Sequence, residues 1–164
     1  MKILDESQIR QKIQRLAIEI LENNIDAREL ILVGINNNGM GFARLLLEAL
    51  LPRSESPITL TRVRLNPADP LSDDILLEIP ADELKGKNII LIDDVANTGR
   101  TLFYAARPIM DTLPNKVEVA VLVDRTHKAF PIRVDYVGLS LATTLKENIS
   151  VKILEVEEQA VFLD

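Results

Sequence analysis

The chain has 164 residues, of which 47% are hydrophobic, and this length suits one domain spanning residues 1–164 but not two ordinary ones. It contains no cysteine and no apolar run near the roughly 18 residues of a membrane span, which excludes disulfides, cysteine nucleophiles and membrane insertion and favours a cytoplasmic protein. The formal net charge of -6 argues against a broad surface for binding polyanions such as nucleic acids.

The first third of the chain predicts a helix followed by a strand and a second helix. Apolar residues recur every three or four positions over residues 5–24, and Asp5 with Gln8 resembles a capping box at the start of that helix. Residues 30–35 predict a buried strand. A polar, glycine-bounded loop is expected at 36–41, before the helical pattern FARLLLEALL.

The rest of the chain alternates strands with helices. Strands are predicted at 58–64, 87–92, 117–123 and 134–139, and a helix at 101–113 contains an awkward Pro108. Prolines and paired aspartates at 66–74 predict a mobile loop, and the tail predicts one or two short strands. This alternation favours an α/β protein with a mainly parallel sheet.

Two adjacent carboxylates, Asp93 and Asp94, follow the predicted strand at 87–92. Ligands of open parallel sheets bind at the carboxyl ends of the strands, so these side chains are candidates for a binding site. Two carboxylates offer enough acceptors to hold both hydroxyls of a ribose diol, directly or through Mg²⁺ and its waters.

A candidate phosphate site comes next in the sequence, at residues 98–101, Thr-Gly-Arg-Thr. Two hydroxyls and the amides at the start of the predicted helix would converge there, and Gly99 permits the positive φ that a cradle of amides requires. Carboxylates followed by a phosphate cradle suit ribose 5-phosphate. In the alternative interpretation, an aspartate only caps a helix and the four residues form an ordinary turn.

Residues 89–102, IILIDDVANTGRTL, resemble the phosphoribosyl pyrophosphate (PRPP) motif of type I phosphoribosyltransferases. Residues 119–138 are similar to the stretch that follows this motif in the PyrR family, whose members are pyrimidine-operon attenuators and also uracil phosphoribosyltransferases. Residues 4–24 and 31–50 match the same family in order and spacing. The resemblance therefore covers nearly the whole chain.

This resemblance implies the type I phosphoribosyltransferase fold, with helices flanking a mainly parallel sheet, a flexible lid loop at about 66–80 and a small hood. It implies an enzyme that uses Mg²⁺ with PRPP and a nucleobase, with uracil giving UMP and pyrophosphate. It also implies a homodimer or larger homo-oligomer.

The resemblance assigns roles to individual residues. Asp93 and Asp94 would hold the ribose hydroxyls, and Asp94 would also stabilise positive charge on the sugar in the transition state. Asn36, Asn37, Asn38, Gly39 and Arg62 would contact pyrophosphate. Asp124 and Arg125 would flank the base, although an exposed loop arginine is the alternative for Arg125. The ribose and 5-phosphate would be bound by Asp93, Asp94, Val95, Ala96, Asn97, Thr98, Gly99, Arg100 and Thr101.

The sequence departs from the PyrR pattern at several of these positions. Asn36, Asn37 and Asn38 stand where that family has lysine and arginine, so two positive charges are missing opposite pyrophosphate; an Asn-rich turn is the alternative interpretation. Asn97 replaces a tyrosine, and Thr61 stands where a tyrosine is expected. These departures leave a second hypothesis open, a regulator that senses UMP or PRPP with weak catalysis, and a third, an RNA-binding attenuator disfavoured by the net charge.

Overall fold

A computed structural model describes residues 1–144 and 147–164. Its larger sheet has six strands in the order β4-β3-β2-β5-β6-β7, with all neighbours parallel except the β3–β4 pair. The predicted, mainly parallel α/β sheet is thus confirmed. The strands are β2 (Leu30–Ile35), β3 (Ile58–Arg64), β4 (Leu76–Leu77), β5 (Asn88–Ala96), β6 (Lys116–Arg125) and β7 (Tyr136–Leu141).

Helices cover both faces of this sheet. Two of them, α1 (Glu6–Glu22) and α2 (Asn36–Leu50), bury apolar side chains such as Leu16 and Phe42 against one face. The other face is covered by α3 (Arg100–Ala105) and by short 3₁₀ helices at Ala81–Leu84 and Arg107–Asp111. The predicted capping box at the start of α1 is confirmed, because the side chains of Asp5 and Gln8 each accept a hydrogen bond from the other's backbone amide.

A second, antiparallel sheet of three strands lies beside the larger one, in the order β1-β9-β8. It consists of β1 (Lys2–Leu4), β8 (Ile149–Lys152) and β9 (Ala160–Leu163). The two tail strands agree with the sequence, whereas β1 was not predicted, because three residues are too few to show a strand period. Ile149 of this sheet reaches the cleft described below.

The prediction of a loop at residues 36–41 was wrong, because α2 starts directly after β2. Asn36 makes the turn in a single residue by adopting φ 51°, a left-handed conformation that asparagine tolerates better than most residues. Gly39 lies on β5 so closely that an added Cβ would be 2.6 Å from the carbonyl oxygen of Ile92. Asn36, Asn37 and Asn38, the Asn run, therefore form the first turn of α2.

The predicted single helix at 101–113 was also wrong, because α3 ends at Ala105 and a 3₁₀ helix follows. Pro108 explains the break, since its ring lacks an amide hydrogen and would clash with the carbonyl four residues earlier.

Among residues 1–144 and 147–164, no helix is long and apolar enough to cross a membrane.

Candidate functional site

A cleft of about 430 Å³ opens where β2 and β5 end. It brings together the acidic pair, the Asn run and part of the Thr-Gly-Arg-Thr segment, which lie more than 50 positions apart at their extremes in the chain. Asp93 and Asp94 lie within the last part of β5, not beyond it. The cleft is lined by Ile35, Asn36, Asn37, Asn38, Pro67, Asp93, Asp94, Val95, Asn97, Thr101 and Ile149.

The acidic pair is held in place by its own backbone. Asp93 is only 9% exposed, and its Oδ1 accepts a hydrogen bond of 2.9 Å from the amide of Asp94. The Oδ1 atom of Asp94 accepts one of 2.8 Å from the amide of Val95. Burial raises the pKa of both carboxyl groups, and the neighbouring charge of Asp94 raises the pKa of Asp93 further. Any ligand that supplies hydroxyl donors or positive charge would therefore stabilise the ionised form of the pair.

The acidic pair fits a metal that arrives with a ligand better than a resident metal. No group of three or more histidine, cysteine, aspartate or glutamate side chains suited to a metal occurs in the described parts of the chain. Mg²⁺ requires about six oxygen ligands and commonly takes only one or two carboxylates from the protein, with the others from water and substrate phosphates. Asp93 and Asp94 provide this number of carboxylates.

Residues 98–101 form a small cradle of about 40 Å³ beside the acidic pair. Gly99 has φ 87°, which confirms the predicted positive φ, and α3 begins at the next residue. Thr98 Oγ1 accepts a hydrogen bond of 3.3 Å from the amide of Arg100. A left-handed residue directly before a helix start is typical of the backbone nests that bind phosphate.

A loop from the end of β6 packs against this cradle. The backbone carbonyl of Thr98 accepts hydrogen bonds from the amides of Ala129 and Phe130, at 2.9 and 3.2 Å. A Cβ added to Gly99 would lie 3.3 Å from Cβ of Ile132 and 3.4 Å from Cδ of Lys128. A side chain at position 99 would therefore be strained by its φ and would press on this loop.

The three asparagines of the Asn run have different environments. Asn36 donates through Nδ2 to the carbonyl of Leu65 and accepts through Oδ1 from the amide of Leu65, both at 3.0 Å. Asn37 accepts through Oδ1 from Nη1 of Arg62, at 2.9 Å. Asn38 is exposed and lines the cleft. Only Asn37 and Asn38 thus present a side-chain amide that a ligand can use without displacing a backbone partner.

Arg62 brings a positive charge to the edge of the cleft. Its Nε lies 3.1 Å from Oε1 of Glu78, which also accepts from Nε of Arg64 at 2.9 Å. Glu78 was missed in the sequence, because it lies 16 positions from Arg62 and reaches it only through the two-residue strand β4. A longer run of alternating residues around Glu78 would have been the signal.

Asp124 and Arg125 end β6, and the alternative of an exposed loop arginine is wrong for Arg125, which is half-buried. Arg125 donates to Oγ1 of Thr143 at 2.6 Å and, more distantly, to Oδ1 of Asn97 at 3.4 Å. Asp124 forms a 2.6 Å ion pair with Lys128. Thr143 and Asn97 also line a cavity of about 90 Å³ with Thr98, Arg125, Thr126 and His127.

Arg100 directs its side chain away from the cradle that its backbone helps to form. Its Nη2 donates to the carbonyl of Pro67 at 2.7 Å and more weakly to that of Ala68 at 3.4 Å. These carbonyls belong to the loop that follows β3. This contact joins residues 33 positions apart, and no local sequence pattern predicts it.

Comparisons with known proteins agree with these observations. A family model of the phosphoribosyl transferase domain matches residues 2–155. The bifunctional protein PyrR of Halalkalibacterium halodurans is 41% identical, over 94% of this chain and 91% of the relative. That of Pediococcus pentosaceus is 34% identical, over 99% and 97%. The crystal structure of the hypoxanthine phosphoribosyltransferase of Trypanosoma cruzi superposes with a TM-score of 0.78 at 19% identity, covering 98% of this chain and 95% of that one. The last comparison confirms the predicted fold.

Proposed function

Because this chain belongs to the phosphoribosyltransferase family and, within it, to the PyrR proteins, we propose that it transfers the phosphoribosyl group of PRPP to uracil, giving UMP and pyrophosphate. The observation that carries this proposal is the pair of buried Asp93 and half-buried Asp94 directly beside the amide cradle at 98–101. In ribose 5-phosphate, the diol would match the acidic pair and the phosphate would match the cradle at 98–101.

In this proposal the sugar lies along the end of β5. Asp93 and Asp94 accept hydrogen bonds from the ribose hydroxyls, and the amides and hydroxyls at 98–101 bind the 5-phosphate. Mg²⁺ bound to PRPP would supply charge neutralisation at the pyrophosphate and at the acidic pair. The raised pKa values of the two carboxyl groups fit this proposal, since ligand contacts would offset the cost of their buried charge.

The reaction breaks the bond between C1 of the sugar and the pyrophosphate oxygen and forms a bond from C1 to a ring nitrogen of the base. The proton of that nitrogen leaves with solvent or with pyrophosphate. Positive charge develops on the sugar in the transition state, and the carboxylate of Asp94 stabilises it. This attraction is stronger than it would be in open water, because Asp94 is half-buried and its burial also raises its pKa.

The pyrophosphate would lie at the start of α2. Asn37 and Asn38 offer amide donors there, Gly39 allows α2 to approach β5, and Arg62 supplies a positive charge next to Asn37. Pyrophosphate carries about three negative charges, and each missing charge-assisted hydrogen bond costs roughly 1.5–3 kcal/mol of affinity. We therefore propose weaker PRPP binding than the PyrR pattern, with its two additional cations, would provide.

The base would enter the cavity between Asn97 and Arg125. Because Arg125 donates to Oδ1 of Asn97, the amide of Asn97 is oriented with Nδ2, which has no partner within residues 1–144 and 147–164, available to donate to a base. A pyrimidine with ring carbonyls, such as uracil, presents the acceptors that this donor needs. Asp124, which is paired with Lys128, would act by holding the end of β6 beside the base.

A second candidate function is a nucleotide-sensing regulator that binds PRPP or UMP with little turnover. The neutral Asn run favours it, because one of its three amides is already engaged with Leu65. Binding of a pyrimidine-operon leader RNA would extend this regulator to an attenuator. The net charge of -6 disfavours that extension.

The proposed function is tested by incubating the protein with Mg²⁺, PRPP and, in separate reactions, uracil, hypoxanthine, guanine, xanthine or adenine, followed by chromatography. Formation of UMP that disappears in Asp94→Asn supports the proposal. Formation of a purine nucleotide instead would mean that the substrate is a purine base and not uracil. No product, with PRPP or UMP still raising the melting temperature, supports the regulator. Sedimentation of the same sample tests the homodimer or larger homo-oligomer that the family resemblance implies.

A further inference from the structure

We propose that Asn36 and Arg100 are positioning residues that clamp residues 65–68 at the wall of the cleft, and that their side chains do not contact the substrate. This inference concerns two positions at which the PRPP motif and the pyrophosphate segment would suggest ligand contacts. Its kinetic consequence rests on the proposed function, whereas its structural consequence does not.

The side chain of Asn36 is fully engaged with one residue. Both its donor and its acceptor bond to the backbone of Leu65, at 3.0 Å each, which extends the β3 end of the sheet toward α2. The φ of 51° at Asn36 aims the side chain in this direction at the point where β2 becomes α2. A phosphate oxygen could use this amide only by breaking the contact with Leu65.

Arg100 holds Pro67 and Ala68 from the other side of the cleft. Its amide belongs to the cradle, where it donates to Oγ1 of Thr98, whereas its guanidinium donates to the carbonyl of Pro67 at 2.7 Å and more weakly to Ala68. One residue thus joins the phosphate cradle to the loop after β3. A guanidinium between two carbonyls is a charge-assisted contact, stronger than a neutral one.

The two contacts divide the loop into a fixed part and a distal part. Residues 65–68 are held by Asn36 and Arg100, and Pro67, within this part, lines the cleft. Beyond it, the loop is tied mainly to itself, through hydrogen bonds of Ser72 to Asn66 and Asp69. Leu71, at the distal part, is 61% exposed. Closure over a substrate would therefore involve the distal part, while Pro67 keeps its place as a wall.

Loss of the clamp would release Pro67 and admit water to the sugar. Arg100→Met, which keeps the aliphatic stem, is expected to raise KM for PRPP about tenfold, the effect of one charge-assisted hydrogen bond. We expect kcat to change less than KM and the hydrolysis of PRPP without base to increase. Arg100→Lys, which can still donate to the carbonyl of Pro67, should recover part of the loss. Arg107→Met is the matched control, because Arg107 is an exposed arginine on the neighbouring 3₁₀ helix.

A second measurement does not depend on turnover. Amide hydrogen exchange of Leu65, Asn66 and Ala68 in the ligand-free protein should accelerate about tenfold in Arg100→Met and in Asn36→Ala, since the Leu65 amide loses its acceptor in the latter. Asn38→Ala and Arg107→Met should leave that exchange unchanged. Exchange in β6 serves as the internal reference for a variant that loses stability throughout.

The outcomes separate the clamp from its alternatives. A higher KM in Arg100→Met with unchanged exchange at 65–68 would mean a direct phosphate contact and would overturn the inference. Faster exchange with unchanged KM and unchanged PRPP hydrolysis would also overturn it, since the clamp would then not serve the site. If the wild-type protein forms no nucleotide, the proposed function fails, and the exchange experiment together with PRPP affinity by calorimetry still decides on the clamp.

Discussion

Arg62 donates a 2.9 Å hydrogen bond from Nη1 to Oδ1 of Asn37, and this contact places a guanidinium beside an otherwise neutral helix start. Glu78 orients Arg62 from the other side. The Asn run itself carries no positive charge, and Arg62 supplies one from β3.

From this contact we predict that Arg62→Gln raises KM for PRPP by tenfold or more, since a charge-assisted hydrogen bond to phosphate is worth roughly 1.5–3 kcal/mol. Steady-state kinetics at varied PRPP measures the effect. Arg64→Gln is the control, because Arg64 shares Glu78 but its side chain is 52% exposed. Equal losses in the two variants would contradict a specific role for Arg62.

The acidic pair should lower the stability of the ligand-free protein while it contributes to catalysis. Asp93→Asn removes a buried charge, so we predict that the ligand-free variant is more stable than the wild type by about 0.5–2 kcal/mol at neutral pH. The same change should lower kcat about a hundredfold or more, because an electrostatic contact to the sugar is lost. Asp26→Asn, at an exposed position, should change stability by less than about 0.5 kcal/mol.

The pH dependence of this stability has a definite sign. Burial raises the pKa of Asp93 above its unfolded value, so between the two values the folded state holds more protons than the unfolded state. This carboxyl group therefore contributes most to stability at pH values below its unfolded-state pKa of about 4, and its contribution falls as the pH rises. Urea unfolding of ligand-free protein between about pH 4 and pH 8 should show a decline that is smaller in Asp93→Asn. An identical decline in both proteins would contradict the assignment.

The chemistry was predictable from sequence where it is contiguous in the chain. Asp93, Asp94 and Gly99 lie within seven positions, and a strand followed by a phosphate cradle is a local pattern. The contacts of Asn36, Arg62 and Arg100 were not predictable, because their partners Leu65, Glu78 and Pro67 are 16 to 33 positions away. Such contacts depend on which strands become neighbours, and no local period encodes that choice.

The buried hydroxyl of Thr61 gives a prediction for stability alone. Thr61 is 3% exposed, and its Oγ1 has no hydrogen-bond partner within residues 1–144 and 147–164. Thr61→Val keeps the shape of the side chain and removes the unsatisfied atom, so we predict a gain of about 1 kcal/mol, or about 2–4 °C in melting temperature. Thr59→Val is the matched control and should destabilise, since Oγ1 of Thr59 donates to Glu29. A loss of stability in Thr61→Val would show that the hydroxyl has a partner in solution.

A polar network at the opposite end of β5 should affect stability without affecting the cleft. Asn24 is 7% exposed; its Nδ2 donates to the carbonyl of Ile20 at 2.7 Å, and its Oδ1 accepts from Nδ2 of Asn88 at 2.8 Å. Asn88 in turn accepts from Asn115 at 2.7 Å. Asn24→Ala leaves Asn88 with a buried, unsatisfied donor, for which we predict a cost of about 1–3 kcal/mol in urea unfolding.

The control for this network is Asn23→Ala, since Asn23 is exposed and, in the part of the chain that the structure describes, its side chain bonds only to the end of α1; its cost should be below about 1 kcal/mol. Below their melting temperatures, both variants should keep the wild-type KM for PRPP, because Asn88 begins β5 whereas the cleft lies at its far end. A changed KM in Asn24→Ala alone would mean that the network transmits strain along β5 to Asp93. Equal stability losses in the two variants would instead mean that the bond to Asn88 contributes little beyond the helix-end contacts that both asparagines make.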